Sequence, residues 1–254
     1  MALFTDGPVS VLEDLMAQDT QLANVANVEG IDVTQKLVLA QEELALEIAT
    51  LLNGSRRPEQ AVWLSAQPTI SNVVVTPALR LWYTFRALEM VYGDAYSSQL
   101  NDRYAAKRGH FQERAHWAYE RMLLLGIGIV WSPIPRAKEP QVVSVAGSLA
   151  DGTYYVAMTW TNTKNEEGAP SILTLVTTTS SSLLVQPATP PVGAAGWNVY
   201  VGTDPEALSR QNGAPIALAQ PWLQPNLMIT GGSAPAWGQS PNYLMAVPRM
   251  ILRG

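Results

Sequence analysis

The chain has 254 residues, a net charge of -5, no cysteine, and 15% charged against 47% hydrophobic residues. Soluble domains usually carry about 25% charged residues, so much of the polarity here rests on Ser, Thr, Asn and Gln. These figures exclude a disordered charged tail, a nucleic-acid binder held by bulk positive charge, and a disulfide-stapled or cysteine–zinc scaffold.

Met1 to Pro8 shows neither a basic nor an apolar targeting region. A short helix is expected from a cap at Ser10 through Val11, Leu12, Leu15 and Met16. Asp32 can cap a longer one, whose stripe Val33, Leu37, Ala40, Leu44, Ile48 and Leu51 keeps one face apolar before Asn53-Gly54 ends it. Thr76-Pro77 opens a third helix, with Leu81, Phe85, Leu88 and Tyr92 among its apolar positions. A fourth runs from about Asn101 to Leu125 on Tyr104, Phe111, Ala115, Ala118, Met122 and Leu125. The longest apolar run, Met122 to Trp131, is broken by Gly126 and Gly128 and is about half a membrane span. Gly126-Ile127-Gly128 marks the stop of the helix, and Pro133, Pro135 and Pro140 predict a stiff linker.

Period two replaces the helical pattern beyond the linker. Strands are predicted at Gly152–Thr161 (GTYYVAMTWT), Ser171–Thr177, Ser182–Gln186 and Gly196–Thr203. Their spacing reads as a β-sandwich. From Ala219 to Pro248 no periodicity holds, and an extended arm is expected. The fold class is therefore α+β: a helical bundle over 1–135, a β-sandwich over 136–230, and an extended C-terminal arm over 231–254.

Catalytic signals are missing. His110 and His116 are six apart, a poor metal pair on a helix, and the Glu113-x-x-His116 step lacks the second copy that a di-iron bundle requires. There is no nucleophile elbow, no phosphate loop and no dinucleotide fingerprint. Glu42-Glu43 and Glu166-Glu167 are adjacent pairs whose members point apart. The expectation is no enzyme, no cofactor and no metal. Arg103, Lys107, Arg114 and Arg121, spaced four, seven and seven, share a basic helix face diluted by Asp102, Glu113 and Glu120. The terminal segment offers Tyr243, Leu244, Met245, Pro248, Arg249, Met250, Ile251, Leu252 and Arg253 as partner contacts, since a stretch so apolar cannot build its own core.

Two resemblances follow from these residues. GTYYVAMTWTN (Gly152–Asn162), EEGAPS (Glu166–Ser171), GWNVYVGT (Gly196–Thr203) and RQNGAPIAL (Arg210–Leu218) resemble fibronectin type III and immunoglobulin-like modules of phage structural proteins. The helical part, with IDVTQKLVLAQEELALEIATLL (Ile31–Leu52), resembles head–tail connector adaptor proteins of tailed bacteriophages. That resemblance implies a virion structural protein of the neck, assembled in the host cytoplasm and forming a dodecameric ring. The implied partners are copies of itself, the portal protein, a tail or tail-completion protein, and DNA passing through the lumen without sequence recognition; no membrane is implied. The rival expectation is a surface adhesion or decoration module that binds a cell surface or glycan through the β domain, with Trp197, Trp222 and Trp237 as an aromatic platform.

Overall fold

The computed structural model describes residues 1–54, 67–99, 102–225 and 227–245. The fold is α+β, with helices first and antiparallel sheets after. The described chain forms two compact units. One holds Gly7–Ile129 together with residues 241–245, and the other holds Met1–Asp6 together with Val130–Ser240.

The helical unit contains α1 (Leu12–Gln18), α2 (Leu22–Glu29), α3 (Val33–Gly54), α4 (Pro77–Gln99) and α5 (Ala105–Leu125). Ser10 does not cap α1. Its hydroxyl is buried against the Thr84 hydroxyl at 2.8 Å, and the Asp14 carboxylate instead accepts the Val11 N–H at 3.0 Å. Helix α2 has no counterpart among the expected elements; Gly30, at φ 66°, gives it a left-handed end. Asp32 opens α3 as its sequence position predicts, accepting the Gln35 N–H at 3.1 Å. Leu37, Ala40, Leu44 and Ile48 are buried, and the stripe continues at Leu52 rather than Leu51. Thr76 caps α4 through the Leu79 N–H, with Pro77 in the first turn, where its missing N–H costs nothing.

Helix α4 is the centre of the unit. Trp82, Tyr83, Phe85, Ala87, Leu88, Val91, Tyr92 and Ala95 are all buried, which covers most of its circumference. A helix packed on several sides needs no clean polar face. A 3₁₀ turn at Asp102–Tyr104 leads into α5, whose Phe111 ring stacks on Tyr92 at 5.4 Å between centroids. Leu125, expected in the buried stripe, is exposed. Past Gly126 the chain becomes β1 (Ile127–Ile129) instead of a linker. No described helix is long and apolar enough to cross a membrane.

The second unit is built from β2 (Gln141–Ala146), β3 (Gly152–Thr161), β4 (Thr174–Thr178), β5 (Ser181–Gln186), β6 (Gly196–Gly202), β7 (Ser209–Arg210) and β8 (Trp222–Leu223). A three-stranded sheet has the order β2-β5-β8 and a four-stranded sheet the order β4-β3-β6-β7. Tyr154, Val156, Met158 and Trp160 alternate along β3 onto one face, as period two requires, and meet Trp197, Val199 and Val201 of β6. Leu183, Val185 and Trp222 complete the same core from the other sheet. The proline-rich stretch expected as a linker belongs to this unit: Ile134 and Ala137 are buried in its core, and the Ala137 N–H donates to Ala169 O. The last strand, β9 (Asn242–Leu244), pairs antiparallel with β1, Leu244 opposite Ile127 and Tyr243 opposite Gly128.

Candidate functional site

Helices α3 and α5 both pack against α4 and leave a groove between them. Buried Leu44, Trp82 and Ala115 line it from the three helices, with Tyr119 beside them. The Trp82 and Tyr119 rings are 4.9 Å apart and tilted by 53°, a favoured aromatic geometry. Arg86 rises between two carboxylates, with Nη2 at 2.6 Å from Glu43 Oε1 and Nη1 at 2.6 Å from Glu89 Oε2. Burial alone would lower its pKa; the two carboxylates more than offset this and hold the guanidinium charged. Tyr119 donates to Glu47 at 3.3 Å, and burial first, then the Glu47 charge, push its phenol above the ordinary range. Glu113 and His116 form the α5 side, and His116 pairs weakly with Glu120 at 3.3 Å. Sequence reasoning missed this groove. Its signal was Arg86 and Glu89 standing inside the apolar run of α4, where a charge is tolerated only beside a partner.

The four residues of the expected basic face divide. Lys107 turns to Asp19, 2.6 Å from its carboxylate, and stands 5.1 Å from the centre of the Tyr92 ring. Arg114 and Arg121 flank Trp117, at 4.8 and 5.9 Å from its ring, and Arg114 also covers Phe85. Arg103 lies on the 3₁₀ turn, over the Tyr104 ring. The structure thus joins Arg114 and Arg121 into one cation–aromatic surface and ties Lys107 to an ion pair. Apolar side chains are exposed close by and on α3: Leu124 beside Trp117 on one α5 face, and Val38, Leu39 and Leu46 on the α3 face away from the core.

Of the terminal contact candidates, Tyr243 and Leu244 lie in β9 and Met245 follows it; Tyr243 and Met245 are about half exposed. Pro248, Arg249, Met250, Ile251, Leu252 and Arg253 lie outside the described residues. The preceding stretch is anchored to its own chain at single points and is otherwise largely exposed, Trp237 and Leu227 included. Gln239 is buried, its amide donating to Ser132 O and Glu166 and accepting from the Ile134 N–H.

The β unit does not present the aromatic platform. Trp197 and Trp222 are core residues, because both lie on strands whose inward positions they fill, and Trp197 Nε1 donates to Ala217 O at 3.1 Å. Trp237 alone of the three is exposed, at 88%. A polar cluster does occupy the other face of the four-stranded sheet. Glu167 accepts from Thr159, from Asn198 at 2.8 Å and from Tyr200 at 2.5 Å. Burial and then Glu167 push the Tyr200 phenol well above its ordinary range, so it stays a donor. Among the described residues, no group of three His, Cys, Asp or Glu could hold a metal ion. No family model matches this chain, and no curated protein is significantly similar to it.

Proposed function

We propose that this chain is a non-catalytic structural protein of a tailed-phage virion: a head-to-tail connector adaptor that forms a ring between the portal and the tail machinery and surrounds the DNA channel. One observation carries this reading. The helical unit has a filled core and still exposes apolar side chains on several helices: singly at Val28 on α2 and at Leu12 and Met16 on α1, and in groups at Val38, Leu39 and Leu46 on α3 and Trp117 and Leu124 on α5. A ring needs two unlike patches, because each copy meets the next head to tail. Large apolar and aromatic groups with Arg at the margin suit the centres of such contacts.

Charge supports the same reading. Residues 1–135 hold 10 Lys and Arg against 15 Asp and Glu, and an acidic wall lets DNA slide instead of sticking. The β unit fits a fibronectin type III or immunoglobulin-like module, supported by a four-stranded and a three-stranded antiparallel sheet around one core. The adhesion alternative retains only Trp237 of its three tryptophans.

Mass photometry and negative-stain microscopy of the purified protein, alone and with the portal protein of the same phage, test the proposal. A ring of many copies seated on the portal is expected. A strict monomer that ignores the portal overturns it.

A further inference from the structure

The groove between α3 and α5 has an apolar floor and more negative charge than it neutralises. Among the described residues, Glu43, Glu47, Glu89 and Glu113 surround it against the single guanidinium of Arg86, which Glu43 and Glu89 already share. Glu47 has the Tyr119 hydroxyl at 3.3 Å, and Glu113 has no hydrogen-bond or ion-pair partner among the described residues. An apolar trough edged with carboxylates favours an extended segment that is apolar, basic and free of acidic side chains.

The chain carries such a segment. Residues 246–254, AVPRMILRG, contain Arg249 and Arg253, the large apolar Met250, Ile251 and Leu252, and no Asp or Glu. The segment also starts in the right place. Leu244 pairs with Ile127, and the Met245 sulfur lies 3.2 Å from where a Cβ on Gly126 would stand, one residue past the end of α5. At 1.5 Å per helical residue, Tyr119 is about 10 Å back along α5 from that point and Gln112 about 20 Å. Nine extended residues span about 30 Å, enough to run the length of the groove. We propose that the C-terminal segment 246–254 seats in the α3–α5 groove, its aliphatic side chains over Trp82 and Leu44 and its two arginines against Glu47 and Glu113. This inference stands apart from the ring reading, since it concerns the helical unit alone.

The absence of cysteine makes the test free of background. His116→Cys combined with Met250→Cys is oxidised mildly and read by non-reducing electrophoresis and peptide mass spectrometry. A high yield of the 116–250 disulfide is expected, against little for Met250→Cys with Val28→Cys, an exposed site on α2. Arg249→Glu with Arg253→Glu should lower the 116–250 yield several-fold, and adding Glu47→Lys with Glu113→Lys should restore it. A disulfide linking two copies supports the same seating, with the segment supplied by a neighbour. Residues 55–66 also carry two arginines, so His116→Cys with Arg57→Cys is the competing pair. Dominance of that pair, a yield no higher than the Val28 control, or indifference to charge reversal overturns the proposal.

Discussion

The Asp19 carboxylate shows how one residue ties the short helices to the long ones. It follows α1, is buried, and accepts from Tyr92 of α4 at 2.5 Å, Lys107 of α5 at 2.6 Å and the Gln21 N–H at 3.0 Å. Burial works to raise its pKa, but the bonds from Lys107, Tyr92 and Gln21 more than offset this, so the folded value lies below the usual carboxylate range. A depressed folded pKa contributes stability that is present above the unfolded value of about 3.9 and is lost as pH falls through the folded value. Asp19→Asn should therefore cost about 2 kcal/mol near neutral pH, and the gap to wild type should narrow as the pH is lowered to about 3. Urea unfolding followed by far-ultraviolet ellipticity at the two pH values checks this. Asp6 works in the opposite sense: burial, against donors from Arg136 and Leu3, raises its carboxyl. Comparing variant with wild type at each pH cancels that contribution.

At the scale of elements, the pairing of β1 with β9 depends on backbone that only glycine adopts easily. Gly126 ends α5 at φ 91° and ψ 158°, and a Cβ there would stand 3.0 Å from Leu244 O. Gly126→Ala should loosen this pairing by about 2 kcal/mol, seen as roughly thirty-fold faster amide hydrogen exchange in β9. Gly109, inside α5 with open space around its Cα, is the contrasting case, and Gly109→Ala should stabilise by about 0.5–1 kcal/mol. The same elements show what the sequence could reveal. Helices α3, α4 and α5 and strands β3, β5 and β6 were readable because each carries its own apolar period and its own punctuation. The three residues of β1 and of β9 are too short for any period, and they become strands only by finding each other across more than a hundred residues. Strand β2 is mostly exposed, so QVVSVA carries little alternation of burial. The groove was hidden for a related reason: its floor comes from three helices, and no single one shows a concave face.

At the scale of the whole molecule, the low charge has two sources. Residues 168–203 have no Asp, Glu, Lys or Arg; of the strands they build, β4 and β5 stay polar through Ser and Thr, and β6 is wholly buried. The charge-free run from Gln211 to Pro248 is tied to its own chain at Trp222, Gln239 and β9, while Leu227 and Trp237 stand exposed between those points. Among the described residues of the helical unit, α3 and α5 carry the two most exposed large apolar side chains, Leu46 at 73% and Leu124 at 64%. If these faces are the two unlike halves of one head-to-tail contact, they can be disabled separately. Leu46→Glu blocks the α3 half and Leu124→Glu the α5 half, each costing the isolated fold less than about 0.5 kcal/mol because the sites are on the surface. Each variant alone should fail to close a ring. Mixed, the intact α5 face of one meets the intact α3 face of the other, and growth stops there because both remaining faces are blocked. Mass photometry should then record a species of twice the 27.6 kDa chain mass in the mixture and monomer in either variant alone. An isologous contact, in which both copies use the same patch, gives no such rescue by mixing, so a mixture that stays monomeric, or a single variant that assembles as wild type does, refutes this pairing of faces.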